Sequence, residues 1–543
     1  MTDAVTPVPT AALGQADPLD MRQYRIEQLP VRERGPFERN LARAGLPIAL
    51  LLFVLFAFVV KLPFLQDIDA SALSSDAARK ELTAKGAELF SRNGGYMLAI
   101  FVASMVLWAT AALPNYLTSL ILLISLVLTG VLTEQKAYAQ LGHPVMWLNI
   151  MSFVLASMLV ATGLAKRAAL WLIVRFGHSA ALVFLVFLVL NLVLSAFVSA
   201  TTAKTAMLLP LFMVIAAIYG ARPGGGRTNF GRSIVLQNLL YNNLGASAFL
   251  TGSGANLLAA ALIAGAVGSS VFFTDWLMAM LPISVIMMGV GYVLALRVFF
   301  PLAANERTPQ VAGGIDRLRA EYAALGPIRA KEIRAIILFL IILALWATDR
   351  VHHVSPTAVA FVGGIVALLP RVGIVEWNEV DIPWHLMLFS AGAYALGAGL
   401  DATDLPSLAV NALFNHLGIG PQTPFWALYV LLTAFMTFSA LAFESKTMRA
   451  MIFVPIAIGV ANRFGYSVVS LALPVAFLIE HVYVLPFNSK PAALLFETDR
   501  YSLGDAFRYG FTMMVVAWLI IVLAGESWFR VLGITPHGVF GFF

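Results

Sequence analysis

The sequence predicts an all-α polytopic membrane protein: about 11 transmembrane helices plus two re-entrant helical hairpins, in two inverted repeats with broken helices. Three observations carry this. Hydrophobic residues make up 60% of the chain and charged residues only 12%, about half the charge fraction of ordinary soluble proteins. Two apolar blocks, at about 180–218 and 424–461, are each interrupted midway by small polar residues and a base. The interruptions read Ser199-Ala200-Thr201-Thr202-Ala203-Lys204 and Phe443-Glu444-Ser445-Lys446-Thr447-Met448-Arg449. Related features recur at offsets near 240 residues, the scale of half the protein.

Residues 1–45 read as a cytoplasmic N-terminal tail with an amphipathic helix near Phe37–Leu46, and no cleavable leader is visible. The first span and an external loop occupy 46–94. The first repeat covers 95–301, with spans at about 95–113, 115–133, 147–165 and 273–301, a hairpin at about 180–218 and a broken helix at about 236–266. A basic cytoplasmic linker, 302–333, follows. The second repeat covers 334–535, with spans at about 334–348, 355–372, 383–400 and 507–531, a hairpin at about 424–461 and a broken helix at about 466–497. Each interrupted block could be two full spans. Clustered Ala, Ser and Thr without a polar loop favour a hairpin, since non-helical backbone at membrane depth needs protein or water around it.

Lys166, Arg167, Arg175, Arg222, Arg227, Arg232 and the linker bases fall on one side. Segments 134–146 and 267–273, on the other, contain only Lys136. The bias puts the N-terminus inside. Trp147 pairs with Trp384, Gly163-Leu164 with Gly399-Leu400, Pro210 with Pro455 and Asn256 with Ala492. An odd number of spans separates the equivalents, so the repeats are expected to be inverted. The absence of Cys gives no information on redox compartment, and a net charge of +6 does not suggest nucleic-acid binding.

Paired interruptions in two apolar halves point to a transporter's binding site. At these residues the chain resembles the divalent anion/sodium symporter family, which carries dicarboxylates, citrate and sulfate. The resemblance covers about 90–535. It rests on the two hairpin tips, on Thr251-Gly252-Ser253-Gly254-Ala255-Asn256, on Phe273-Thr274-Asp275-Trp276-Leu277 with Leu281-Pro282, and on Leu485-Pro486-Phe487-Asn488-Ser489-Lys490-Pro491. Each tip bears Ser-Asn-Thr in that family. Here Ala200-Thr201-Thr202 and Ser445-Lys446-Thr447 stand in those places, and Lys490 and Ala492 replace a Pro and an Asn of the second loop.

The resemblance implies a secondary carrier of small divalent anions, C4 or C5 dicarboxylates or citrate-like, working by elevator-type alternating access. It implies a homodimer in a bacterial inner membrane, multi-pass, with lipid as its surroundings. The substrate contacts it implies are Thr201, Thr202, Ser253, Ser445, Lys446, Thr447, Lys490 and Pro491; the sodium contacts are Ser199, Thr201, Thr251, Gly252 and Asn256. Sodium prefers oxygen ligands, so Lys446, Lys490 and Ala492 count against the second sodium site, leaving Na⁺ possible only in the first half. A Lys ammonium can serve as a built-in cation in its place. A permanent charge then favours anion exchange, while a neutralised one allows proton coupling. A sodium- or proton-coupled symporter of dicarboxylate or sulfate is the alternative.

The blander roles are also defined. Lys446 could pair with Glu444 or Glu480, and Lys204 and Arg449 could brace the hairpins. Asn256 could hold its loop or an ion. His385 and His481 read as satisfied core residues, and Trp147, Trp276 and Trp384 as interfacial anchors. No catalytic residues, metal cluster or cofactor motif stand out, so an enzyme is not expected. A sensor would need a larger soluble domain, and a cation exchanger would need membrane carboxylates near the breaks.

Overall fold

The computed structural model describes residues 36–541, apart from 67, 69, 71, 72, 111, 222–226, 270, 419, 421, 422, 444, 487 and 488. Most of the expected tail, Arg222, Glu444, Phe487 and Asn488 therefore lie outside the described residues. The expected amphipathic helix and first span are one continuous helix, Pro36–Val54, which widens into a π turn over Leu55–Val59. It packs mainly on helix Ala87–Thr110 and leaves Leu50, Leu51, Val54 and Phe58 bare. Apolar side chains in that position suit lipid contact rather than a protein core.

From there the same order of elements occurs twice. The first half runs through helices Ala87–Thr110, Asn115–Leu128, Pro144–Thr162 and Leu164–Phe176, then the arms Ala180–Phe197 and Thr201–Ile218. Asn229–Ala248 and Gly254–Val267 follow as one broken helix, and Phe273–Leu294 closes the half. The second half runs through Ala330–Ala347, Pro356–Leu368, Trp384–Thr403 and Leu405–His416, then the arms Phe425–Phe438 and Lys446–Phe464. Val468–Phe477 and Lys490–Phe496 form its broken helix, and Leu503–Glu526 closes it. No strand occurs among the described residues. Among the described residues, seven helices are long and apolar enough to cross a membrane, and shorter apolar helices accompany them.

Two short helices, Leu164–Phe176 and Leu405–His416, were not expected from the sequence. Each begins after a residue in left-handed conformation, Gly163 (φ 67°) and Asp404 (φ 47°). Gly163 adopts that region without steric cost. Asp404 is held there by accepting bonds from the Ser74 and Ser75 amides at 2.5 and 3.3 Å. The pairing of Gly163 with Gly399 is thereby corrected: Gly399 lies inside helix Trp384–Thr403, and the equivalent turn is Asp404-Leu405.

These two turns meet different parts of the chain. Arg167, just after Gly163, donates to the Gly326 and Leu325 carbonyls at 2.9 and 3.1 Å and pairs with Glu332 at 2.7 Å. All three acceptors belong to the central linker or its end. At the second turn, Asp401 accepts from Ser75 Oγ at 2.7 Å, so that turn meets the loop after the first span. Equivalent turns tied to opposite sets of connections are what an inverted repeat requires.

Trp276 is fully buried, donates to the Ser247 carbonyl at 3.0 Å and packs edge-on against Phe477. It joins the two halves rather than anchoring at an interface. Trp147 and Trp384 are exposed, as interfacial rings would be. His385 is also exposed, not core. His481 is buried against Tyr483, in the core as expected, and among the described residues the Leu478 backbone is a partner of its ring.

Candidate functional site

Both hairpin tips and both helix breaks meet at one cavity of about 1030 Å³, at the upper end of the ~300–1,000 Å³ common for small-molecule sites. The break between the first arms is a short extended stretch, 198–200, and Thr201 starts the returning helix. At the second tip, Ser445 caps helix Lys446–Phe464 by accepting the Met448 amide at 3.3 Å. Ser253 and Ser489 begin the other two helices with nearly identical backbone angles, φ −157°, ψ 156° and φ −159°, ψ 155°. Each accepts an amide three residues on, from Asn256 and Ala492 respectively. The repeat thus holds down to individual dihedral angles.

Helices Thr201–Ile218, Gly254–Val267 and Lys446–Phe464 all begin at the cavity wall, and the short helix from Lys490 begins there too. A long helix carries roughly half a positive charge at its start. Several such ends beside two Lys side chains give a positive, donor-rich cavity suited to an anion.

All eight expected substrate contacts line this cavity: Thr201, Thr202, Ser253, Ser445, Lys446, Thr447, Lys490 and Pro491. Of the expected sodium contacts, Ser199 and Thr201 also line it, while Thr251, Gly252 and Asn256 are buried in the break. Asn256 Nδ2 donates to the Ala246 and Phe249 carbonyls at 2.9 and 3.0 Å, holding the break open. Its Oδ1 and Ser199 Oγ are buried without a hydrogen-bond partner among the described residues. Two orphaned oxygens suit a small cation. In the second half Asn256 is replaced by Ala492, which has no oxygen to offer.

Lys446 reaches across from the second tip to the first half. Its ammonium donates to Glu480 at 2.6 Å, Thr201 Oγ1 at 3.3 Å and Asn243 Oδ1 at 3.4 Å. Glu480 is completely buried and its other oxygen accepts from Ser253 Oγ at 2.5 Å. The pairing of Lys446 with Glu480 is present, then, but inside the candidate site. Lys490 differs: it is exposed at the cavity and carries no hydrogen bond or ion pair to a described residue.

Lys204 and Arg449 lie behind the tips, fully buried, and brace both halves in the same way. Lys204 donates to Ser195 Oγ at 2.6 Å and to the Asn242 carbonyl at 3.2 Å. Arg449 donates to Ser439 Oγ at 2.9 Å, to the Met436 carbonyl, and to the Ile479 and Leu478 carbonyls at 3.0 and 3.4 Å. Each base joins the first arm of its hairpin to the broken helix beside it.

Asn149 and Ser390 also line the cavity, from the helices opened by Pro144 and Trp384. A Cβ on Gly254 would fall 3.2 Å from Asn149 Nδ2, a tight contact with the end of that side chain. Sequence reading missed Asn149, Ser390 and Asn243. Their only signal was a polar residue within an apolar span.

Residues 82–535 match the family described as the sodium:sulfate symporter transmembrane region. The chain belongs to this family. It is a membrane carrier of anions and not an enzyme. A sodium-dependent dicarboxylate transporter of Staphylococcus saprophyticus is 24% identical over 80% of this chain and 86% of its own length. Its Staphylococcus aureus counterpart is 23% identical over 79% and 85%. A membrane protein of Cupriavidus necator is 24% identical over 81% and 88%. Among solved structures, the Alcanivorax borkumensis YdaH transporter matches at a TM-score of 0.48 and 14% identity, covering 91% of this chain and 98% of its own.

Proposed function

We propose that this protein carries small divalent organic anions, C4 or C5 dicarboxylates or citrate-like, without dependence on two sodium ions. The observation that carries this is the convergence of Lys446, Lys490 and six further candidate contacts on one cavity bordered by helix N-termini. Dicarboxylate relatives support the substrate class. In this reading Lys446 and Lys490 supply positive charge that bound sodium would supply elsewhere, and the hydroxyls of Thr201, Thr202, Ser253, Ser445 and Thr447 orient the carboxylates. Pro491 shapes the wall beside Lys490.

Movement is by elevator-type alternating access: the hairpins and broken helices carry the site, and the repeats 95–301 and 334–535 form the two halves. The N-terminus is placed in the cytoplasm of a bacterial cell with the chain in its inner membrane, working as a homodimer. Anion exchange follows most directly from Lys490, whose charge has no described partner; Lys446 is matched by Glu480 and does not argue for it. A second reading, sodium symport through the first half alone, rests on the unpaired Ser199 and Asn256 oxygens.

The test is succinate counterflow in proteoliposomes containing the full chain, in sodium against choline media. Uptake in choline comparable to that in sodium is expected. Uptake that needs sodium and rises with its second power would sink the proposal.

A further inference from the structure

We propose that Glu480 is a resident carboxylate that alternates with a substrate carboxylate as the partner of Lys446, taking up one proton when the substrate replaces it. This rests on the anion-carrier reading above. Three observations lead to it. Glu480 has no exposure, yet both its oxygens are bound by residues of the cavity wall, Lys446 at 2.6 Å and Ser253 at 2.5 Å. It lies in the second helix break, three residues past helix Val468–Phe477, and the residue three past helix Asn229–Ala248 in the first half is Thr251, so the fold does not need a carboxylate there. Lys446, finally, starts a helix whose amides already favour an anion.

Charge decides the sequence of events. Lys446, Lys490 and Glu480 together carry one positive charge. A bound dianion would bring the sum to one negative, with two carboxylates competing for Lys446. A buried carboxylate that loses its partner is strongly destabilised as an anion. Protonating Glu480 restores a neutral site: two ammonium groups against two substrate carboxylates. Ser253 provides the route, its hydroxyl passing its proton to Glu480 Oε1 while accepting one that enters from the external solution and is relayed through cavity water, which is left neutral. Lys446 Nζ simultaneously moves its hydrogen bond to the substrate. Release reverses each step, and Glu480 returns to Lys446.

Lys204 and Arg449 act on Glu480 through the field from the two hairpins, each held by its own bracing bonds. His481, next in sequence, is buried on the far side against Tyr483. Lys446 is the one cation among them that lines the cavity.

The experiment uses the full chain in proteoliposomes without sodium, between pH 6.5 and 8, where succinate stays mostly dianionic. A trapped pH dye reports proton entry during labelled succinate uptake, and net uptake is compared with exchange against internal succinate. For the wild type, net uptake should rise with external acidity by up to about tenfold per pH unit, with one proton entering per succinate. Glu480→Gln should abolish succinate-linked proton entry and lower the ratio of net uptake to exchange about tenfold or more. Glu480→Asp, which keeps the carboxylate, should restore both, and it serves as the test if the Gln variant fails to fold. Unaltered proton entry in Glu480→Gln, or none in either Glu480→Asp or the wild type despite succinate transport, would overturn the proposal. Failure of the wild type to move succinate in any mode would instead overturn the carrier reading.

Discussion

Lys446 and Glu480 form a buried ion pair within the second half, and each also bonds to the first half, Lys446 to Thr201 and Asn243 and Glu480 to Ser253. Replacing one partner strands the other, at a typical cost of about 3–5 kcal/mol. Lys446→Met should therefore lower thermal stability in detergent sharply, and adding Glu480→Gln should recover most of the loss. Simple additivity of the two single effects would mean that the pair is not coupled. Lys490→Ala should behave differently, because Lys490 binds no described residue. Unfolding temperature should hardly move, while the KM for succinate rises about tenfold, as when one charge-assisted bond is lost. The interrupted apolar pattern made both Lys residues legible in the sequence. Glu480 was visible only as one of two possible partners, because hydrophobic periodicity does not tell which distant side chains meet. Asn243 was hidden for the same reason.

At the scale of elements, the first helix break depends on a glycine whose missing side chain makes room for its own backbone. A Cβ on Gly252 would collide with the Ala246 carbonyl, the same group that Asn256 holds. Gly252→Ala should displace Ser253 and with it the contact to Glu480. The expected outcome is succinate affinity reduced by tenfold or more, with a smaller stability loss of about 1–3 kcal/mol, measured by binding and by thermal unfolding of the same preparation. Arg449 braces the other hairpin through several carbonyls, so Arg449→Met should lower stability by about 2–4 kcal/mol. The broken helices and hairpins could be read from small polar residues inside apolar runs. Helices Leu164–Phe176 and Leu405–His416 could not, being short and, in the first case, dotted with Lys166, Arg167 and Arg175. Gly399 stands out over Asp404 in the sequence because a non-Gly residue takes the left-handed region far less often than Gly, and the Ser74 and Ser75 amides and Ser407 that bind the Asp404 carboxylate are seen only in the fold.

For the whole molecule, the two halves have the same element order but unequal sites. The first offers oxygens at Ser199 and Asn256 that have no partner among the described residues; the second offers Lys446, Lys490 and Ala492. Any sodium stimulation of transport should therefore rise with no more than the first power of sodium concentration, and Asn256→Ala should remove it while leaving choline-supported uptake in place. A second-power dependence would show two ions at work. The overall class was legible from composition and from the offset near 240 residues. Which helices lie against which required the fold itself.

The linker has a consequence for how the molecule can be built. Gln310 and Val311 donate to the Ile218 carbonyl at 2.9 and 3.1 Å, and Glu306 accepts the Phe230 amide at 3.2 Å. Beyond the exposed stretch 327–329, Arg167 still grips Glu332. Covalent continuity at 327–329 thus adds little to contacts already made. Two chains, 1–326 and 327–543, produced together should assemble and co-purify as one particle, a split carrier whose halves can be mutated or labelled independently.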